Sequence, residues 1–318
     1  MPYVSIIMSV YKPNKDGLFR TINSVLKQTF GNFEFIIIKD DPNENILELL
    51  QEYEKKDKRI KLIDNKNNIG LVKSLNKGLK IAKGDYIARI DVDDWWESEK
   101  LKLQIDVITK KDLVLVGTQV NLVDENLNPL IEVNSPLDGE NIVEYLKRGK
   151  NPFTHSSVLF KKIENIYYNE NALYTEDFEL WCRYSFLGKM ENLKERLTNY
   201  VVDLNSITNN KRYLMFVNAT KVYENYVSCY LTKNKDCIEN GLISKPIKDM
   251  SLSDRLFSKY YSLGAKELFC KNKTKYYCYI FIALVLNPKV LVYQLKRVYF
   301  RATCKLPSAK SNEILKTP

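Results

Sequence analysis

The chain has 318 residues, 45% of them hydrophobic and 28% charged, enough to bury a large core in one sizeable domain with an appendage. Its six cysteines (Cys182, Cys229, Cys237, Cys270, Cys278, Cys304) contain no C-x-x-C pair and no zinc-finger spacing. They therefore imply no cofactor and read as buried or idle thiols in a reducing compartment. The net charge of +10 is concentrated in the tail, where ten Lys or Arg between Cys270 and Pro318 face one acid, Glu313, for a local charge of +9.

The opening residues, MPYVSIIMSVYKP, have no basic segment before the apolar run and no small-residue cleavage site, so they read as a first strand and the chain is expected to work in the cytoplasm. Val4 to Val10 is that strand, after which Leu18, Ile22, Val25 and Leu26 fall on one helical face. A second strand, Phe33 to Ile38, precedes the helix NILELLQEYEKK; Ile60 to Ile63 is a third strand, before the helical GLVKSLNKGLKIAKG with Gly84 as its stop. Asp85 to Ile90 is a fourth. Repeated β-α alternation predicts an α/β fold, a Rossmann-like, mostly parallel sheet flanked by helices.

In such sheets ligands bind beyond the carboxyl ends of the strands. Those ends carry Ser9-Val10-Tyr11, Asp40-Asp41-Pro42 and Asp91-Val92-Asp93-Asp94, groups able to hold a base, a ribose or a metal. Neither G-x-G-x-x-G after the first strand nor G-x-x-x-x-G-K-[ST] occurs, so phosphate needs another device. Carboxylates holding Mn²⁺ or Mg²⁺ are the natural one, because these ions take oxygen ligands and share themselves with substrate phosphates. Asp91 and Asp93, two apart, would crowd on one side. The plainer alternative makes Asp93 and Asp94 turn or capping residues of the helix containing Leu101, Ile105 and Ile108, which leaves Asp91 unexplained. Likewise, in YTEDFELWCRY, Thr175 can cap a helix whose first turn holds Glu176 and Asp177 and whose Leu180 and Tyr184 face inward.

Together VSIIMSVYK, IIIKDDP, NNIGLVKSLNKGL, AKGDYIARIDVDD and YTEDFELWCRY resemble the family 2 glycosyltransferases of the A-type nucleotide-sugar fold (GT-A), over roughly residues 3 to 200. The resemblance implies that Asp91 and Asp93 form the D-x-D element, with Asp93 the direct metal ligand. It further implies that Ser9, Tyr11, Asp40 and Asp41 bind the uridine, Tyr11 by stacking and Asp40 by accepting a hydrogen bond. Asp177 would be the catalytic base, supported by Glu176, and His155 in NPFTHSSVLF would lie near donor or acceptor by hydrogen bonding. Lys73, a donor-binding candidate, stands where many relatives have arginine, a departure that argues against a bidentate phosphate clamp there. Trp95-Trp96 replaces a proline of most relatives; the pair either caps the core or lines the acceptor site.

The implied reaction is inverting and metal-dependent, moving a sugar from a UDP-sugar to a lipid-linked saccharide for bacterial surface polysaccharide. A glycoside hydrolase, or a non-catalytic module binding sugar nucleotides or polyanions, is the alternative. Residues 1–205 would form the catalytic domain and 206–318 a helical, basic region. Within it the apolar run Tyr276 to Leu286, 11 residues, is too short to span about 30 Å of hydrocarbon. Leu291, Leu295 and Val298 form a stripe that Lys296, Arg297 and Arg301 avoid, as in a helix lying on the inner face of the cytoplasmic membrane; a core helix with a solvated basic side is the alternative. No helix-turn-helix, zinc or RNP pattern accompanies the charge, so no nucleic-acid partner is expected.

Overall fold

The structure, a computed structural model, describes residues 2–130, 132–202, 211–234, 236–245, 251–269, 273–288 and 290. The chain divides into two compact units. The first comprises Met1–Leu137, Phe153–Glu170 and Leu187–Val202; the second comprises Asp138–Pro152, Asn171–Phe186 and Asp203–Pro318. The domain boundary expected between 205 and 206 lies outside the described residues.

The first unit is an eight-stranded sheet with helices: β1 (Val4–Val10), α1 (Lys15–Leu26), β2 (Phe33–Lys39), α2 (Glu44–Lys56), β3 (Ile60–Asp64), α3 (Leu71–Ile81), β4 (Tyr86–Arg89), β5 (Trp95–Trp96), α4 (Lys100–Lys110), β6 (Leu113–Val123), β7 (Leu159–Lys161) and β8 (Lys189–Val201). Strand order is β3-β2-β1-β4-β7-β6-β8-β5. The β-α half is parallel from β3 to β4. Beyond it the sheet turns mixed: β7 runs antiparallel to both β4 and β6, while β6 and β8 are parallel. The expectation of a mostly parallel sheet thus describes the first hundred residues better than the remainder.

Alternation on β1 aims Val4, Ile6, Met8 and Val10 at one face, where they pack with Leu18, Ile22 and Val25 of α1 and Leu101, Ile105 and Ile108 of α4. Each such side chain contributes roughly 1.5–3 kcal/mol on full burial. Helix α1 starts where Asn14 accepts the amides of Asp16 and Gly17. Helix α3 ends at Ile81, before the expected stop. Gly84 instead allows a close approach of two backbones, since a Cβ there would lie 2.6 Å from the Ser5 amide nitrogen.

The second unit holds α5 (Gly139–Lys147), α6 (Glu176–Tyr184), α7 (Arg212–Thr232), α8 (Asp236–Asn240), α9 (Leu252–Phe269) and α10 (Lys273–Leu286). A C-terminal helical part therefore exists, with a core of Tyr213, Leu214, Val217, Phe257, Ala283 and Val290. The stripe of Leu291, Leu295 and Val298, with Lys296, Arg297 and Arg301, lies outside the described residues.

Candidate active site

In the first unit the carboxyl ends of β1, β2 and β4 come together, as the β-α pattern requires. Ser9 is partly buried near the end of β1, and Tyr11 just beyond it is 41% exposed, with the Lys12 ammonium 5.3 Å from its ring centroid. Lys12 takes the left-handed conformation (φ 46°), which directs its amide at Asp41; that carboxylate also accepts the Asn43 amide at 2.8 Å. Asp41 thereby fastens the β1 loop to the β2 loop.

Asp40 is 1% exposed and already accepts three bonds, from the amides of Ile69 (2.8 Å) and Gly70 (2.9 Å) and from Asn65 Nδ2 (3.1 Å). A carboxylate offers about four lone-pair positions, so its main physical action is to hold the 65–70 loop that begins α3. Gly70 there needs φ 89°, a conformation available to glycine without penalty. Lys73, in the first turn of α3, is exposed.

The acidic loop after β4 is organised from below. Arg89, buried at the end of β4, pairs with Asp91; burial opposes the guanidinium charge, but Asp91 together with Tyr168 and Asp94 outweighs it and raises the value above that of an ordinary arginine. Ser156, fully buried, accepts the Asp91 amide at 2.9 Å. Its single hydroxyl proton is shared between Asp91 Oδ2, at 3.2 Å, and Asp94 Oδ2. Asp94 is 2% exposed and accepts the Val201 amide at 2.9 Å. Burial, reinforced by Asp91, pushes its carboxyl well above the usual carboxylate range, against the hydrogen bonds from Ser156 and Val201. The capping alternative for Asp94 does not hold: β5 intervenes, and α4 starts after Glu99 with no side-chain cap. Arg89, Ser156 and Val201 thus already offset the charge of Asp91 and Asp94 within the loop.

Asp93 differs from both neighbours. Its backbone is left-handed (φ 79°), and its side chain is directed at α1, where a Cβ on Gly17 would lie 1.7 Å from Oδ1. The loop is clamped to that helix: Arg20 Nη2 donates to the Asp93 carbonyl at 3.1 Å, and Thr21 Oγ1 to the Asp94 carbonyl at 2.7 Å. The Arg20 guanidinium also stacks 4.7 Å from the Trp95 ring. Trp96 is a core residue, 3% exposed, with its indole N–H donated to the Ser156 carbonyl at 2.8 Å.

The Asp91 side chain is 40% exposed, and both its partners use Oδ2. Its Oδ1 accepts no bond among the described residues, an arrangement that suits a hard cation sharing one or two carboxylates with phosphate oxygens. No group of three or more His, Cys, Asp or Glu side chains forms a metal cluster among the described residues. His155 lies on a short 3-10 turn, His155–Ser157, and its Nε2 pairs with Tyr168 Oη at 2.8 Å. Burial, and then Arg89, hold this imidazole well below its ordinary value, so it is neutral.

In the second unit Asp177 sits in the first turn of α6. Its Oδ2 accepts from Asn151 Nδ2 at 2.7 Å and its Oδ1 from the Phe178 amide at 2.6 Å. Glu176 beside it is buried. Thr175 occupies the N-cap position without capping; its hydroxyl turns back to the Ala172 carbonyl at 3.4 Å. What fixes this helix is a buried pair one turn on, Glu179 and Arg183 (2.8 Å). Glu179 accepts the Leu242 amide at 2.7 Å, and Arg183 donates to the Ile238 carbonyl at 3.1 Å.

Sequence reasoning missed Arg89, Ser156, Arg20 and Asn65. Arg89 left a trace, a lone charge inside the apolar run IARI; the other three left none.

An acidic loop at the strand ends of an α/β sheet flanked by helices is what the GT-A fold places there, and comparison with known proteins gives the same fold and family. Residues 5–175 match the model of glycosyl transferase family 2. An uncharacterised glycosyltransferase of Methanocaldococcus jannaschii is 32% identical over 240 residues, 74% of this chain and 81% of that one. Escherichia coli WfgD, a UDP-Glc:alpha-D-GlcNAc-diphosphoundecaprenol beta-1,3-glucosyltransferase, is 35% identical over 123 residues, 39% of this chain and 47% of its own. The fold resembles that of Staphylococcus aureus TarS in complex with UDP, with a TM-score of 0.53 at 15% identity over 88% of this chain and 90% of that one. The chain belongs to glycosyl transferase family 2 and is a glycosyltransferase.

Proposed function

We propose that the protein transfers a hexose, with inversion, from a UDP-sugar to a hydroxyl of a lipid-linked saccharide at the inner face of the cytoplasmic membrane, in the synthesis of a surface polysaccharide. The observation that carries this reading is the acidic loop: three carboxylates held in three distinct states by Arg89, Ser156 and α1, beside the Tyr11 and Asp40 loops. The similarity to WfgD, which acts on a diphosphoundecaprenol-linked sugar, and to UDP-bound TarS supports the acceptor and donor classes.

Asp91 and Asp93 would hold Mn²⁺ or Mg²⁺, which when bound neutralises charge on the diphosphate leaving group. The remaining work falls to the chain's own groups. Tyr11, exposed and apolar-faced, stacks on the base. Ser9 and Asp41 bind the nucleoside, Asp40 shapes its pocket by fixing the 65–70 loop, and Lys73 contributes positive charge toward the donor. Asp177 takes the proton from the attacking acceptor hydroxyl, oriented by Asn151 and the Phe178 amide, with Glu176 as support. One displacement gives inversion. Neutral His155 serves by hydrogen bonding and not by ligating the metal.

Calorimetry of UDP with and without Mn²⁺ tests the donor half. Asp93→Ala should remove the metal-dependent increment. Asp177→Asn should retain it while turnover falls by about 10²–10⁴-fold. Metal-indifferent UDP binding, or full activity of Asp177→Asn, would refute the assignment.

A further inference from the structure

Helix α10 reads KTKYYCYIFIALVL and is apolar around its whole circumference after its first turn, the composition of a helix buried on all sides. It is buried on one side alone. Its inner face, with Ala283 and Leu284, packs into the core of Tyr213, Leu214, Val217 and Phe257. Its outer face presents Tyr277 (67% exposed), Phe281 (68%) and Val285 (62%), spaced four apart on one stripe, with Ile282 beside them. Leu252, 74% exposed, opens α9. Asp254, two residues on, accepts from Asn287 just past the end of α10, so the two helices form an antiparallel hairpin that holds the stripe outward. The Tyr260 and Tyr279 rings meet midway, 6.4 Å apart.

We propose that this outer face of α10 is a membrane-docking surface, inserting Tyr277, Phe281 and Val285 into the interface of an anionic lipid bilayer. The proposal rests on the lipid-linked acceptor reading above and names the surface that would bring the enzyme to it. Charge decides between occupants. From Lys271 to Lys289 the sequence holds Lys271, Lys273, Lys275 and Lys289 and no acid, and the segment from Cys270 to Pro318 carries +9. A second copy seated symmetrically on this face would bring together two segments that each carry lysines and no acid, whereas anionic headgroups match the lysines that flank the helix in sequence. Length agrees: 14 residues extend about 21 Å, and no described helix is long and apolar enough to cross a membrane.

The test mixes the full chain with sedimenting vesicles of phosphatidylcholine, or of phosphatidylcholine and phosphatidylglycerol in equal parts, at low and high salt. Wild type should bind the anionic vesicles and release as salt rises. Phe281→Glu with Val285→Glu should lower the bound fraction by about tenfold or more, with circular dichroism and UDP binding unchanged. A Phe281→Trp variant, which keeps the face apolar, should show quenching by bromine-labelled lipid chains. Sedimentation of the double variant like wild type, absence of quenching, or a wild-type dimer that the double variant dissociates would each overturn the proposal. UDP binding measured on the same samples separates failure of this surface from failure of the donor site.

Discussion

The sharpest perturbation of the acidic loop does not touch an acid. Gly17 is buried in the first turn of α1, and adding one methyl there would place a Cβ 1.7 Å from Asp93 Oδ1, 2.8 Å from Cγ and 3.2 Å from Cα. To reach the 3.4 Å of ordinary contact the oxygen must retreat by about 1.7 Å. The backbone cannot retreat with it, because Arg20 and Thr21 of the same helix hold the carbonyls of Asp93 and Asp94. The side chain must swing out instead. Overpacking costs about 1–3 kcal/mol, of which the better helix propensity of alanine returns roughly 0.5–1 kcal/mol. The expected outcome is a fold destabilised by about 0–2.5 kcal/mol and a kcat/KM lower by roughly 10²-fold, the scale of an ångström-sized misplacement. The assay is steady-state transfer at varied Mn²⁺, beside thermal unfolding. Gly31→Ala is the control, since a Cβ at Gly31 meets nothing within 4 Å. Gly17→Ala with a lowered melting temperature but wild-type kinetics and metal dependence would refute the placement of Asp93 in the working site.

Ser156→Ala removes the acceptor of the Asp91 amide and the hydroxyl partner of Asp94; it should lower stability by about 1–3 kcal/mol in chemical denaturation, and a neutral result would show that water replaces the hydroxyl. Arg183→Met leaves Glu179 buried with one partner fewer and should cost about 3–5 kcal/mol, much of it recovered when Glu179→Gln is added, as a double-mutant cycle will show. Lys100 is fully buried over the Trp96 ring (3.8 Å) with Gln104 as its hydrogen-bond partner, and burial holds its ammonium well below the usual lysine value. The unfolded chain ionises near 10.4, so the stability tied to neutral Lys100 is complete above that pH and is lost as pH falls through the lowered folded value. Lys100→Met should therefore gain stability relative to wild type between about pH 10 and pH 7; a pH-independent difference would contradict this.

The first hundred residues were legible because each signal there is local. Strand β1 coincides with the apolar run Val4 to Val10, and the face predicted from Leu18, Ile22 and Val25 is the buried face of α1. The mixed half of the sheet was not legible, since its pairings join distant residues through short strands. Two-residue β5 exists because Trp95 and Trp96 pair with Asn199 and Thr198, and three-residue β7 is what reverses direction between β4 and β6. Neither length carries a period. At the site, the segments that gather were readable from strand ends, yet their partners were not: Asp40 meets the 69–70 amides and Asp94 meets Val201 through turns that no spacing encodes.

The acids of DVDD look equivalent in sequence and are made inequivalent by their neighbours. Asp94 is enclosed and carries its charge at a penalty, so it acts as an anchor that ties the loop to β8. Asp91 is ion-paired with Arg89 behind it, and two-fifths of its side chain still meets solvent. Asp93 accepts a left-handed backbone and a glycine-sized space on α1, conditions that favour a short polar residue. A loop that needed only negative charge could tolerate aspartate or glutamate in any of these positions. One in which the middle residue must fit against Gly17 could not, and Asp93→Glu should therefore impair transfer as Gly17→Ala does, although the charge is conserved.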